Sequence, residues 1–483
     1  MGFPANRKQP MLADHIASQI YKNFGFEPTP GQKNAVDRLA AFLSGGPADR
    51  IFILNGYAGT GKTSLIAALV RTLAEMRLRT VLLAPTGRAA KVMSRYAGQK
   101  AFTIHKKIYR QKSLATADAR FSLDYNKEKD AVFIVDEASM LSNFSPDGSL
   151  FGTGQLLDDL IAYIRQGKDC RLILVGDTAQ LPPVGLEESP ALDAEYMRGY
   201  AETETVLMDD VVRQSDRSGI LFNATLVRCM LDAGIIDIPM FDTSFEDVEA
   251  VEGGEILEAI QDAYDRYGRE ETVVITRSNK RANRFNEAIR RHVLFAEEEI
   301  ESGDRLMIVK NNYHYTGKEE DCKADFIANG DTADLLRIRK FEDFYGFRFA
   351  HARLRFPDYD EMELECKVLL DTLASESPSL TREQADRLFF AVAEDYAEIP
   401  SKAKRYKEVR ENPYFNAMQI KFAYAVTCHK AQGGQWRCVF VDKMLFGEET
   451  ISRDLLRWLY TALTRATEKL YFINFDERFF EPK

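Results

Sequence analysis

The chain has 483 residues, 45% of them hydrophobic and 29% charged, a globular balance that excludes a disordered or collagen-like protein. Its 64 basic and 74 acidic residues leave a net charge of −10, so any nucleic-acid contact must lie in a local groove and not in a basic coat. At roughly 100–200 residues per domain, three or four domains or subdomains are expected.

In chain order, the apolar runs Ile51–Leu54, Ala131–Val135 and Leu172–Val175 each end in Gly, Asp or Asn. Continuous apolar strands of this length suit a parallel sheet covered on both faces. Thr63–Arg79 has helical composition between two of them, so the first 200 residues read as an open α/β sheet. A second set follows at Thr272–Thr276, Phe422–Thr427, Cys438–Val441 and Leu470–Ile473. The intervening segment differs. It holds an Asn329-Gly330 turn expected to join strands Ala324–Ile327 and Leu335–Ile338, an aromatic run Phe341–Phe349, and an acidic helical stretch Thr381–Tyr396. The expected domains are 1–106 with 131–210, a small insertion at 107–130, a second α/β domain from 211–308 with 413–483, and an inserted subdomain at 309–412.

Six cysteines, with no CxxC pair, argue against a zinc ribbon or a thioredoxin-like motif and for a reducing compartment. No apolar run has the roughly 18–20 residues of a membrane span, and Met1–Tyr21 has no apolar signal core; a cytoplasmic protein is expected.

The motif Gly56-x-x-x-x-Gly61-Lys62-Thr63 follows a predicted strand and opens a predicted helix, the context a P-loop requires. Gly56, Gly59 and Gly61 let backbone N–H groups face phosphate oxygens, and Ser64 at the helix start is expected to bind ATP with them. Lys62 would reach the β/γ-phosphates and Thr63 would bind Mg²⁺; ATP and Mg²⁺ are the expected cofactors. Asp136 and Glu137 end the run AVFIV. Asp136 is the expected Mg²⁺ ligand and Glu137 the base for water, although an acidic pair in that position also occurs as a helix cap. In LILVGDTAQLPPVG, Gln180 is placed to contact the γ-phosphate or its water, in a loop stiffened by Pro182-Pro183.

Together these segments resemble the first motifs of superfamily 1 DNA helicases, of the RecD-like and Dda-like branch. VLMDDVVRQ at 206–214, VVITRSNKRANRFNEAIR at 273–290, AVTCHKAQGGQW at 425–436 and LYTALTRATEKLYF at 459–472 continue the same motif order. The resemblance implies two RecA-like domains with ATP between them and single-stranded DNA crossing both. It implies that Gln32 reads adenine, that Gly433 lies at the nucleotide, and that Arg213 and Arg465 reach across the cleft to the γ-phosphate. Pro85, Thr86, Arg88, Thr103 and His105 then contact DNA from the first domain; Thr427, His429, Lys430 and Gln432 do so from the second. Gln435 stands where such sequences often carry an acidic residue. Segment 107–130 is placed where the family carries a strand-separating pin, with Phe121 or Tyr125 as the stacking residue, and 309–412 where it carries an SH3-like subdomain.

The implied function is an ATP-dependent DNA helicase moving 5′ to 3′ on single strands and opening tailed duplex, in DNA repair, recombination or replication. The competing readings are a translocase that displaces proteins or acts on RNA without unwinding, and, more remotely, a P-loop switch or kinase. A monomer is expected, with the inserted subdomain as a candidate surface for a protein partner.

Overall fold

A computed structural model describes residues 8–46, 49–111, 121–144, 152–210, 217–312, 314–315, 327–443 and 451–480. The first apolar runs form strands of one sheet: β1 (Ile51–Gly56), β2 (Thr80–Ala84) and β3 (Ala101–Thr103). A small antiparallel pair follows, β4 (Tyr109–Gln111) and β5 (Phe121–Leu123), and then β6 (Val132–Val135), β7 (Arg171–Gly176) and β8 (Thr203–Met208) complete the sheet. Its order is β3-β2-β6-β7-β1-β8, and every neighbouring pair is parallel.

All of β1 is buried, because successive side chains enter two different cores. Phe52 and Leu54 meet helices Lys8–Phe24, Pro30–Ser44, Lys62–Glu75 and Gly87–Ala97; Ile51 and Ile53 meet Leu157, Leu160 and Ile161 of helix Leu156–Gln166. Each such side chain contributes about 1.5–3 kcal/mol of burial, which explains why the strand tolerates no polar alternation.

The second half begins with β9 (Val248–Val251) and β10 (Thr272–Thr276). The chain then leaves for β11 (Arg305–Ile308), β12 (Thr332–Phe344), β13 (Phe347–Phe356), β14 (Met362–Leu369) and β15 (Met418–Phe422), which close a barrel. It returns with β16 (Ala425–Thr427), β17 (Trp436–Asp442) and β18 (Ala466–Ile473), giving a parallel sheet ordered β16-β10-β17-β18-β9. The expected class, two parallel α/β sheets with a β-rich insertion in the second, is therefore the one found. Among the described residues no helix is long and apolar enough to cross a membrane.

Several local expectations change. The run Phe422–Thr427 is not one strand: it leaves the barrel at Phe422 and enters the second sheet at Ala425. The barrel takes its first and last strands from 305–308 and 418–422, outside 309–412. Asn329-Gly330 does turn, with Gly330 at φ +97°; Ile327 bridges Asn312, β12 pairs with β11 and β13, and residues 324–326 of the expected first strand lie outside the described residues. The two-residue hairpin turn is Tyr345-Gly346, at φ +55° and +72°, the positive pair that a type I′ turn requires. The acidic stretch forms helix Arg382–Glu394, opened by a capping box between Thr381 and Gln384. With helix Lys402–Glu411 it buries Leu388, Val392 and Val409 against Phe347 and Phe349 at the start of β13.

Candidate nucleotide cleft and nucleic-acid contacts

The P-loop leaves β1 at Gly56, where a Cβ would lie 2.9 Å from the Lys62 stem; Gly59 and Gly61 adopt φ +76° and +84°. Gly61 caps helix Lys62–Glu75 without any side-chain hydrogen bond, so the helix start offers its amides to an anion. Lys62 Nζ donates to the carbonyls of Gly56 and, at 2.9 Å, Tyr57, and lies 3.8 Å from Asp177 Oδ2. Thr63 is exposed at this helix end and Ser64 is half-buried. Gln32 is fully buried. Its Oε1 accepts from Thr29 N in a capping box and its Nε2 donates to Thr60 O at 2.9 Å, so here it braces the P-loop.

Asp136 and Glu137 stand where β6 ends. Asp136 Oδ2 accepts from the Tyr96 hydroxyl at 2.6 Å and Oδ1 from Glu137 N at 2.9 Å. Glu137 adopts φ +52°, an uncommon conformation for a residue with a side chain. Burial holds its carboxyl above the ordinary range, while Arg465 pulls it back down. Arg465 is 3% exposed. Its Nε donates to Thr461 O at 3.0 Å, and its Nη1 lies 3.8 Å from Glu137 Oε1, across the cleft between the two sheets. Gln180 N donates to Asp177 O, and its buried Oε1 has no partner among the described residues. That atom, Asn55 Oδ1 and Ser139 Oγ are unpartnered among the described residues and belong to residues lining one cavity of about 370 Å³. Arg213 lies outside the described residues.

Sequence reasoning missed the side chains through which the second half grips this loop. Tyr460 of helix Arg453–Leu463 accepts from Ala58 N at 2.8 Å and donates to Asp177 Oδ2 at 2.7 Å. Tyr57 donates to Asp232 Oδ1 at 3.0 Å, under the Arg228 guanidinium at 4.6 Å. A tyrosine on an apolar helix face looks like core; only the adjoining TALTRA motif signals otherwise.

The expected nucleic-acid residues divide. Pro85 is half-buried; Thr86 and Thr103 cap helices Gly87–Ala97 and Ile104–Ile108 through hydrogen bonds from Ala89 N and Lys106 N. Burial pushes the His105 imidazole down to about 4, so it is neutral at pH 7. Thr427 opens helix Cys428–Ala431 without a side-chain cap bond, and His429 beside it is exposed. Lys430 donates to Asn329 Oδ1, and burial lowers its ammonium to about 8. Arg88 and Gln432 are engaged between the halves. Arg88 donates to Gln435 O at 3.0 Å with its guanidinium 3.8 Å from the Trp436 ring centre, and Gln432 donates to Leu181 O at 2.7 Å.

A Cβ at Gly433 would lie 2.8 Å from Ala89 Cβ, so this glycine permits close packing on helix Gly87–Ala97. One expectation fails. Phe121 is 6% exposed and packs into the first domain, because β5 turns it inward; Tyr125, at 65%, faces solvent. The loop between β4 and β5, residues 112–120, lies outside the described residues.

A P-loop on one parallel sheet, faced by a buried arginine from a second, is the arrangement of a two-domain P-loop nucleotide-binding protein. Residues 27–228 match the family model of an AAA domain, and 422–473 that of the UvrD-like helicase C-terminal domain. These matches and the motif order make the chain similar to the RecD-like helicases of superfamily 1. It is similar to the ATP-dependent RecD2 DNA helicase of Deinococcus radiodurans, 30% identical over 32% of this chain and 19% of that one. It is also similar to the uncharacterized protein MJ1519 of Methanocaldococcus jannaschii, 24% identical over 89% of this chain. The chain spans 37% of the length of MJ1519. Among solved structures, Pif1 helicase from Bacteroides in complex with ADP-AlF3 and ssDNA aligns over 95% of both chains, with 13% identity and a TM-score of 0.47.

Proposed function

We propose that this chain is an ATP-dependent DNA helicase that translocates 5′ to 3′ on single-stranded DNA and separates tailed duplex. The observation that carries this reading is Arg465, a buried cation from the second sheet set 3.8 Å from Glu137 beside the P-loop of the first. A site completed by both halves makes turnover depend on how they close, which is what converts hydrolysis into movement.

In this reading Lys62 and the amides of the Gly56–Thr63 loop hold the phosphates. Glu137 orients and deprotonates water, Gln180 contacts the γ-phosphate or that water, and Arg465, with Arg213, places guanidinium charge on the transferring group. Thr63 and Asp136 suit Mg²⁺: an exposed hydroxyl and a carboxylate at a strand end, leaving the other octahedral positions to water and phosphate oxygens. When bound, the ion neutralises charge between the phosphates. Thr86, Thr103 and Thr427, each opening a helix, would carry DNA phosphates, with exposed His429 beside Thr427. His105, being neutral, contributes hydrogen bonding or stacking and not charge. Arg88 and Gln432 would report closure between the halves. Tyr125 is the remaining described candidate for stacking at the duplex junction.

The test is ATP hydrolysis together with strand separation on duplexes with a 5′ or a 3′ tail, at fixed low salt because phosphate contacts weaken as salt rises. Separation from the 5′ tail alone, with turnover stimulated by single strands, is expected. Turnover indifferent to nucleic acid would contradict the proposal. Stimulated turnover without strand separation would favour the protein-displacing translocase.

A further inference from the structure

We propose that Tyr460 is a positioning residue for ATP hydrolysis: its hydroxyl ties the P-loop and the Asp177 carboxylate to the helix whose C-terminal end leads to Arg465. The inference rests on the ATPase reading of the cleft and goes beyond it. Tyr460 is 1% exposed and uses its hydroxyl in both senses, accepting from Ala58 N at 2.8 Å and donating to Asp177 Oδ2 at 2.7 Å. A phenol holding a donor and an acceptor at once has little rotational freedom. Its neighbour Thr461 accepts from Leu181 N at 2.8 Å, and the Thr461 carbonyl accepts from Arg465 Nε at 3.0 Å. One helix end of the second half therefore fixes the P-loop turn, the Asp177–Leu181 loop and the guanidinium together.

Asp177 connects this bolt to the lysine. The oxygen that accepts from Tyr460 lies 3.8 Å from Lys62 Nζ. Asp177 is 1% exposed, so its negative charge is stabilised by these two groups and by Ala179 N, which donates to Oδ1 at 3.0 Å. A lysine that extends toward phosphate withdraws its charge from Asp177. The carboxylate then depends more on Tyr460, and a hydrogen bond to an ionised acceptor in a dry site is the stronger kind. Occupation of the phosphate site thereby tightens the hold on the helix that leads to Arg465. Phosphate binding and arginine placement become linked events.

The test is Tyr460→Phe, which keeps the ring in its core and removes only the hydroxyl. The expected result is about a tenfold fall in kcat for single-strand-stimulated ATP hydrolysis, with KM for ATP changed less than about twofold. The difference in single-strand affinity between ADP and a non-hydrolysable ATP analogue should shrink as well. Asp177→Asn should lower kcat similarly, and the double variant should lose little more, since both break one bridge. Parental kcat in Tyr460→Phe, with the nucleotide effect on single-strand affinity intact, would overturn the proposal. So would losses that add in the double variant and track only a lowered Tm, the signature of a packing role. If the unmodified protein shows no single-strand-stimulated turnover, the helicase reading fails first and this inference with it.

Discussion

The two parallel sheets end in similar strand–helix turns and use them in opposite ways. In the first, β1 runs through the Gly56–Gly61 loop into helix Lys62–Glu75, whose N-cap makes no side-chain bond. In the second, β10 runs into helix Asn279–His292, where Ser278 accepts from Arg281 N at 3.2 Å. Arg281 then forks onto buried Asp442 at 2.7 and 3.1 Å. One turn leaves its amides open to an anion; the other satisfies them from within and neutralises the carboxylate beside it. The lesson is that a parallel sheet does not make a phosphate site. The glycine pattern and the missing cap do, and the second half delivers Arg465 from the end of helix Arg453–Leu463.

The largest expected effect breaks the open turn. Lys62→Ala should lower ATP turnover to about one hundredth or less, because a charge placed on the transferring group acts mainly in the transition state. Single-strand binding should survive. The matching change in the closed turn, Ser278→Ala, should cost about 1 kcal/mol of stability through the lost cap and leave turnover within about twofold. Turnover assays paired with thermal melting check both; a turnover loss in Ser278→Ala as large as in Lys62→Ala would erase the distinction.

A smaller effect concerns the barrel, which docks on the first domain at Gly87, where a Cβ would meet Asp331 Oδ1 at 2.5 Å. Asp331 accepts from Tyr359 Oη at 2.5 Å and Ala328 N at 2.6 Å, and burial pushes its carboxyl up from 3.8 to about 7. The folded state therefore holds a proton that the unfolded state has released. The stability this group contributes is full below about pH 4 and is lost as pH rises through about 7. Melting temperature should fall by a few degrees between pH 5 and 8, and Asp331→Asn should flatten that slope. An unchanged slope in the variant would remove Asp331 as its source.

Much of this was legible in the sequence, for identifiable reasons. Gly56, Gly61, Lys62 and Thr63 are recognisable because a phosphate loop demands glycines at fixed spacing, and β1, β6 and β7 because strands covered on both faces are apolar throughout. The barrel's edges were not legible: Arg305–Ile308 and Met418–Phe422 are antiparallel partners more than a hundred residues apart, and no local pattern encodes that register. Phe121 and Tyr125 carry the same aromatic signal, and only the strand's facing separates core from surface. Tyr460 was hidden because a hydroxyl that bridges two domains looks, in sequence, like one more buried ring.

The central claim is that the second half completes the first half's site, and Arg465→Lys tests it most directly. Lysine keeps the charge but loses the planar fork and its reach. Single-strand-stimulated ATP hydrolysis should fall about a hundredfold or more, with ATP binding changed less than about threefold. Turnover at the parental rate would show that the first half works alone, and would contradict the account.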